Sequence, residues 1–220
     1  MMQIGITGQS GFIGKHLFAA LEADGRRVVP FSKEIFETDA ALDKFTAQCD
    51  VIVHLAALHR DPDPEKLYTE NVRLTEQLLA SCDRTRQCRK IIYTSSVQED
   101  NGSAYGRAKK ACREMIEQWA QATGASATTF ILPNVFGPGA KPFHTSFIAT
   151  FSYQLLHGEE PRIVEDREVP LIFIGDLLPY FQRAIAAKPD GVVTTERIPI
   201  ATTIKVSTIL ELLKTFCSYR

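Results

Sequence analysis

The segment Thr7-Gly8-Gln9-Ser10-Gly11-Phe12-Ile13-Gly14 constrains this chain more than any other stretch. It follows an apolar run, Gln3–Thr7, and opens a stretch of helical period over Gly11–Asp24. Glycines three apart between a strand and a helix serve distinct steric ends. Gly8 permits a tight turn, Gly11 lets a ligand come close to the backbone, and Gly14 lets the helix pack against the strand. The first amides of the helix have no partner within it, and with the helix dipole they suit an anion. The pattern therefore points to a dinucleotide whose pyrophosphate sits on Gly8, Ser10, Gly11, Phe12, Ile13 and Gly14. An ordinary glycine-rich turn is the alternative.

The rest of the chain fits a sheet that could carry such a turn. Short apolar runs predict strands near Arg27–Phe31, Ile35–Glu37, Val51–Leu55, Lys90–Ser95 and Ala127–Leu132. Helical periods between them cover Ala40–Gln48, Glu65–Cys82 and Ser103–Thr123, with Thr38 or Asp39 as a cap and Gly25 and Gly124 as stops. After Leu132 the rhythm breaks at Pro133, Gly137, Pro138, Gly139 and Pro142, which predicts a loop of about ten residues. Beyond it the pattern predicts a helix near Thr145–His157, a short strand at Arg162–Val164 and a strand at Leu171–Ile174. A helix from Asp176, a strand within Gly191–Ile200 and a last helix over Ser207–Phe216 complete the chain. The fold class is α/β, a Rossmann-type doubly wound parallel sheet over residues 1–135, with a small C-terminal substrate lobe over 136–220.

Charge is balanced, 25 basic against 26 acidic residues, which gives no electrostatic reason to expect nucleic acid or an anionic membrane. The N-terminal residues do not pair a basic stretch with an apolar one as a signal peptide does, and the apolar runs are short for a bilayer. Cys49, Cys82, Cys88, Cys112 and Cys217 are odd in number and lack a C-x-x-C pair, so they read as reduced thiols with no metal site. The expectation is a soluble cytoplasmic protein.

Two further segments bear on chemistry. An NAD site ordinarily has Asp or Glu at the end of the second strand, whereas a 2′-phosphate prefers basic and hydroxyl neighbours. Here the segment reads Val29-Pro30-Phe31-Ser32-Lys33, so Ser32 and Lys33 favour NADP, with NAD as the alternative. The second segment, Tyr105-Gly106-Arg107-Ala108-Lys109, puts a phenol and an ammonium on one helix face. An ammonium, together with the positive nicotinamide of an oxidised cofactor, lowers the pKa of a phenol and makes it a usable acid–base. The preceding run Ile91-Ile92-Tyr93-Thr94-Ser95-Ser96 delivers hydroxyls to the carboxyl edge of the sheet, where the dinucleotide is expected.

Together these motifs resemble the extended short-chain dehydrogenase/reductase superfamily of nucleotide-sugar epimerases, dehydratases and reductases. Thr7 to Gly14 matches its T-G-x-x-G-x-x-G, and His54-Leu55-Ala56-Ala57 matches the segment after the fourth strand of that family. Asn71-Val72 matches N-V-x-G-T, with Leu74 in place of glycine. Tyr105 and Lys109 match Y-x-x-x-K, and Leu132-Pro133-Asn134-Val135-Phe136-Gly137-Pro138 matches R-x-x-N-V-x-G-P without its arginine. The short gap from Ser96 to Tyr105 and the run Thr94-Ser95-Ser96-Val97-Gln98 are similar to the NADPH-dependent reductases of capsular polysaccharide synthesis, which act on the 4-keto group of a UDP-linked amino sugar.

The resemblance implies Tyr105 as general acid–base, Lys109 as the lysine that holds the nicotinamide ribose, and Ser96 as the hydroxyl on the substrate. Ser95 is the near alternative, and because neighbouring strand residues face opposite ways only one of them can serve. Leu55, Ala56, Ala57, Asn71, Pro133 and Val135 join the implied cofactor contacts. Ser96, Asn134, Lys141, His144 and Arg162 are the implied substrate contacts. The arginine of the family's R-D-F-I-H-V-D-D segment is absent from Val169–Asp176, with Arg162 and Arg167 nearby. His54 reads as structural, and His59 and Arg60 as loop residues. Trp119, with Met115 and Ile116, reads as packing. The implied activity is NADPH reduction of a 4-keto sugar nucleotide, with 4-epimerisation or a non-catalytic NAD(P)-binding sensor as alternatives. A homodimer through the helices near 65–82 and 103–123 is implied as well.

Overall fold

The computed structural model describes residues 2–218. Its elements follow the order β1 (Gln3–Thr7), α1 (Phe12–Ala23), β2 (Arg27–Val29), α2 (Asp39–Thr46), β3 (Val51–His54), α3 (Pro64–Thr85), β4 (Lys90–Ser96), α4 (Ala104–Thr123) and β5 (Ser126–Leu132). Then come β6 (Asn134–Phe136), α5 (Phe147–Leu156), β7 (Glu168–Phe173), α6 (Ile174–Ala186), β8 (Val193–Arg197), β9 (Thr202–Lys205) and α7 (Val206–Cys217). The chain forms two units. The first runs to Leu132 and resumes over Leu178–Arg197; the second takes Pro133–Leu177 and the residues from Ile198 onward.

The first unit is a six-stranded sheet in the order β2-β1-β3-β4-β5-β8 with every pair parallel. Helices flank this sheet, so its central strands are buried along nearly their whole length rather than on alternate residues. Ile4, Ile6, Ile52, Ile91, Ile92 and Phe130 are all out of solvent. Strand order reverses at β1 and β3, the place where open α/β sheets bind ligands beyond the carboxyl ends of their strands. Register aligns those ends: Thr7 is opposite His54, His54 is opposite Tyr93, and Ser96 is opposite Leu132.

The second unit pairs β6 with β7 in parallel and β7 with β9 antiparallel. Phe151 of α5, Val169 and Leu171 of β7, and Val206, Ile209 and Leu210 of α7 form its core.

Several predicted elements differ from the structure. The strand expected at Ile35–Glu37 is a 3-10 turn over Lys33–Glu37. Its one buried side chain, Phe36, meets Phe31 edge-on, and packing of that ring needs no strand. Strand β2 ends at Val29, because Pro30 has no N–H for the ladder. No strand forms at Arg162–Val164, where Val164 is 94% exposed and its apolar character found no core. Strands β6 and β9 are additions: β6 is three residues inside the proline-rich loop, and β9 is mostly exposed, so neither shows a period. Among the described residues no helix is long and apolar enough to cross a membrane, and the five cysteines are free.

Candidate active site

The glycine turn is built by steric exclusion. Gly8 has φ +72°, and a Cβ there would lie 2.8 Å from the Ala56 nitrogen and 2.9 Å from the Leu55 carbonyl carbon. A Cβ on Gly14 would lie 2.4 Å from the Gly8 oxygen. Both positions require glycine, and the constraint on Gly8 brings the segment after β3 against the turn. Thr7 fastens that contact, since its Oγ1 accepts from the N–H groups of Leu55 and Ala56, each at 3.2 Å. Helix α1 then starts at an N-cap, Gly11, that offers no side-chain cap, so its leading amides are open to an anion. These features fit a dinucleotide's pyrophosphate, and Ser10, Phe12 and Ile13 lie in this turn as expected.

His54 and Asn71 sit behind the turn. The Thr7 hydroxyl already accepts twice, so it donates to His54 Nδ1 at 2.7 Å, and His54 Nε2–H donates to Thr75 Oγ1 at 3.3 Å. Burial, with Lys109 adding repulsion, pushes the imidazole down to about 3, so it is neutral and structural. Asn71 Oδ1 accepts from Leu58 N–H at 3.0 Å, while its Nδ2 donates to the carbonyls of Leu58 and Leu67 at 2.9 and 2.7 Å. Its amide is thereby committed to shaping the stretch that contains Leu55, Ala56 and Ala57.

The end of β4 separates two serines. Ser95 Oγ donates a short hydrogen bond to Glu99, whereas Ser96 Oγ accepts from Gln98 N–H at 3.2 Å, which leaves its own proton available. Ser103 Oγ caps α4 by accepting from Gly106 N–H at 3.0 Å, which places Tyr105 in the first turn. Lys109, one turn on, is buried. Its Nζ donates to the Thr94 carbonyl at 2.8 Å and lies 4.8 Å from the Tyr93 ring centre and 5.8 Å from that of Tyr105. The His59 ring is 5.6 Å from the Tyr105 ring.

Electrostatics here departs from the sequence expectation. Burial pushes the Tyr105 phenol above its ordinary value rather than below it. The ammonium that was expected to lower it is itself desolvated: burial brings Lys109 down to about 8, against the opposing pull of Cys112 and Glu99. Burial therefore keeps the proton on Tyr105.

At the end of β2 the Ser32 hydroxyl bonds the Glu34 carboxylate and holds it below its ordinary range, while Lys33 is exposed. Gln9 of the glycine turn accepts from Phe31 N–H at 3.2 Å, tying the two segments together. Pro133, Asn134, Val135, Lys141, His144 and Arg162 belong to the second unit. Pro133 is buried, Asn134 donates to the Pro170 carbonyl at 3.1 Å, and Lys141, His144 and Arg162 are exposed. Trp119 Nε1 donates to Asp83 at 2.7 Å, which joins α4 to α3. Thr7, Glu99 and Arg113 were not singled out in the sequence, although Thr7 stands inside the glycine motif. Among the described residues no group of three His, Cys, Asp or Glu is placed to hold a metal ion.

Comparison with known proteins agrees with this layout. A model of the NAD dependent epimerase/dehydratase family matches residues 4–195. Over 200 residues the chain is 30% identical to UDP-2-acetamido-2,6-beta-L-arabino-hexul-4-ose reductase of Pseudomonas aeruginosa, covering 90% of this chain and 53% of that protein. Among solved structures, UDP-glucose 4-epimerase of Thermotoga maritima aligns with a TM-score of 0.89 at 21% identity, over 99% of this chain and 83% of the other. The capsular polysaccharide assembling protein CapF of Staphylococcus aureus aligns with a TM-score of 0.77 at 27% identity, over 99% and 58%. The chain spans between 47% and 64% of the length of the curated relatives it matches. With its strand, glycine turn and helix in place and a match across most of its length, the chain belongs to the NAD dependent epimerase/dehydratase family.

Proposed function

We propose that this chain carries the reducing centre of an extended short-chain dehydrogenase/reductase that converts the 4-keto group of a UDP-linked amino sugar to an alcohol with NADPH. The observation that carries the reading is Tyr105 in the first turn of α4, one turn before the buried Lys109, in the helix that follows β4 and its Ser96 hydroxyl in the sheet that bears the glycine turn. The named activity of the P. aeruginosa relative supports the substrate class.

When bound, the cofactor supplies the hydride that reaches the ketone carbon. As negative charge grows on the carbonyl oxygen, Tyr105 transfers its phenolic proton to that oxygen and Ser96 donates a hydrogen bond to it. The phenolate left behind is stabilised by the Lys109 ammonium, and water then restores the proton. Lys109 would also bond the nicotinamide ribose. Leu55, Ala56, Ala57, Pro133 and Val135 are proposed to line the cofactor, with Asn71 acting through the stretch it holds. Asn134, Lys141, His144 and Arg162 supply the amide, ammonium, imidazole and guanidinium groups that suit a sugar diphosphate.

The choice of NADP rests on Lys33, because Ser32 is engaged with Glu34 and a carboxylate there disfavours a 2′-phosphate. Lys33→Glu should weaken NADPH binding about tenfold and leave NADH nearly unchanged. We extend the reading to a homodimer through α3 and α4, which sedimentation equilibrium would test.

The function itself is tested with deuterated NADPH and a panel of UDP-linked 4-keto sugars. Stoichiometric oxidation of NADPH with deuterium at C4 of the product is expected. Interconversion of C4 epimers without net NADPH consumption would instead make the chain an epimerase, and cofactor binding with neither reaction would make it a sensor.

A further inference from the structure

Ser96 and Tyr105 are joined by Val97–Ala104, a connection with almost no regular structure of its own. The groups that flank it must hold their spacing closely, since an error near 1 Å between reacting groups costs about a hundredfold in rate. Part of the anchoring is ordinary backbone bonding. Glu99 N–H donates to the Ser96 carbonyl and Asn101 N–H to the Gln98 carbonyl, both at 3.1 Å. The Gln98 oxygen rests on Gly106, where a Cβ would stand 2.0 Å from it.

The remaining anchor is a charge. Among the described residues Glu99 is the only buried acid, and it lies in the middle of this connection. Arg113, about two turns beyond Tyr105 in the same helix, grips it through Nε and Nη2 at 3.0 and 3.1 Å. Arg113 Nη1 also donates to Glu117 at 3.1 Å, and Thr195 of β8 donates to Glu117 at 2.7 Å. The remaining donor to Glu99 is Ser95, which as the neighbour of Ser96 in β4 faces the opposite way.

We propose that the Glu99–Arg113 pair is a positioning device: it clamps the Ser96–Tyr105 connection to the body of α4, so that Ser96 and Tyr105 keep their spacing. The proposal rests on the roles assigned above to Ser96 and Tyr105. Glu99 and Arg113 make their hydrogen bonds to protein partners, and they act through the backbone between the two groups. The charge on Glu99 also favours the ammonium form of Lys109, which burial opposes.

A clamp made of a buried ion pair has a distinctive response to mutation. Removing Arg113 strands a buried carboxylate, whereas neutralising both partners removes that unpaired charge without restoring the clamp. The test compares wild type, Glu99→Gln, Arg113→Met and the double variant. Residue-resolved amide exchange at Glu99 and Asn101 reads the connection, with the β4 amides of Ile91 and Ile92 as the internal reference. The ¹³Cζ resonance of Tyr105 reads its position, and kcat is set against NADPH affinity. In Arg113→Met, exchange at Glu99 and Asn101 should quicken about tenfold or more while the reference amides hold, and the tyrosine line should broaden or split. Turnover should fall about tenfold with NADPH affinity within about twofold of wild type, and the double variant should regain thermal stability while keeping the faster exchange and the lower turnover, because neither partner is left to hold the connection.

Unchanged exchange in folded Arg113→Met would overturn the clamp, as would a double variant whose exchange and turnover return to wild type, since a stranded carboxylate and not a lost clamp would then explain the single variant. A loss of turnover that only tracks the folded fraction would overturn the positioning role. Exchange and the tyrosine resonance need no substrate, so they judge the clamp even if wild type reduces no nucleotide sugar, a result that would count against the proposed function alone.

Discussion

Two strand-to-helix turns at the carboxyl edge of one sheet are built in opposite ways. Between β1 and α1 the chain uses glycines, excludes side chains within 2.4 to 2.9 Å of the Gly14 and Gly8 positions, and leaves the helix without a side-chain cap. Between β4 and α4 it uses polar side chains: Ser103 caps the helix, Asn101 Oδ1 accepts from Ser103 N–H at 3.0 Å, and Glu99 is held by Arg113. The first turn leaves its amides available for a ligand's charge. The second satisfies its own amides and directs hydroxyls instead. One is suited to binding and the other to proton transfer, and substitutions should separate them.

The largest separation is expected at Lys109. Lys109→Met should lower turnover by about a hundredfold or more, measured as kcat at saturating NADPH, because the phenolate of Tyr105 loses its counter-charge. The same change should stabilise the fold. The folded-state pKa of Lys109 is depressed to about 8 from the ordinary 10.5. The unfolded chain therefore binds more protons between those values, so the penalty is fully present below pH 8 and fades as pH rises towards 10.5. It amounts to roughly 3 kcal/mol at neutral pH. Thermal melts should show the variant above wild type at pH 7, with the gap closing by pH 10.5.

Gly14→Ala attacks the first turn. A Cβ 2.4 Å from the Gly8 oxygen forces strand and helix apart. Overpacking of this kind costs about 1–3 kcal/mol, and dinucleotide affinity should drop about tenfold by isothermal titration. The ¹³Cζ resonance of Tyr105 should stay in place. Ser103→Ala should have the smallest effect, about 1 kcal/mol of stability from the lost cap in chemical denaturation, with cofactor affinity unchanged.

How far the sequence foretold this molecule differs between the two turns in the same way. The glycine turn was legible because its constraint is local: positive φ and close approach demand glycine wherever the strand-to-helix pattern stands. The sheet was legible for a related reason, since strands such as Val51–His54 and Lys90–Ser96 are buried on both faces and contain the short apolar runs Val51-Ile52-Val53 and Ile91-Ile92-Tyr93. Strand β9 and the turn at Lys33–Glu37 were not, because one is exposed and the other is organised around a single ring, Phe36. The pairing of Glu99 with Arg113 spans 14 residues from loop to helix, and no local period announces it. The direction of the Tyr105 shift was also hidden, because the Y-x-x-x-K spacing reveals an ammonium nearby but not the burial that outweighs it.

The division between a binding turn and a proton-transferring one is tested most directly at Tyr105. NADPH would be titrated into Tyr105→Phe, and the single-turnover rate of ketone reduction measured on the same preparation. A dissociation constant within about twofold of wild type is expected, with a rate lower by about a thousandfold. Retained turnover, or a loss of NADPH binding in step with the loss of rate, would contradict that division.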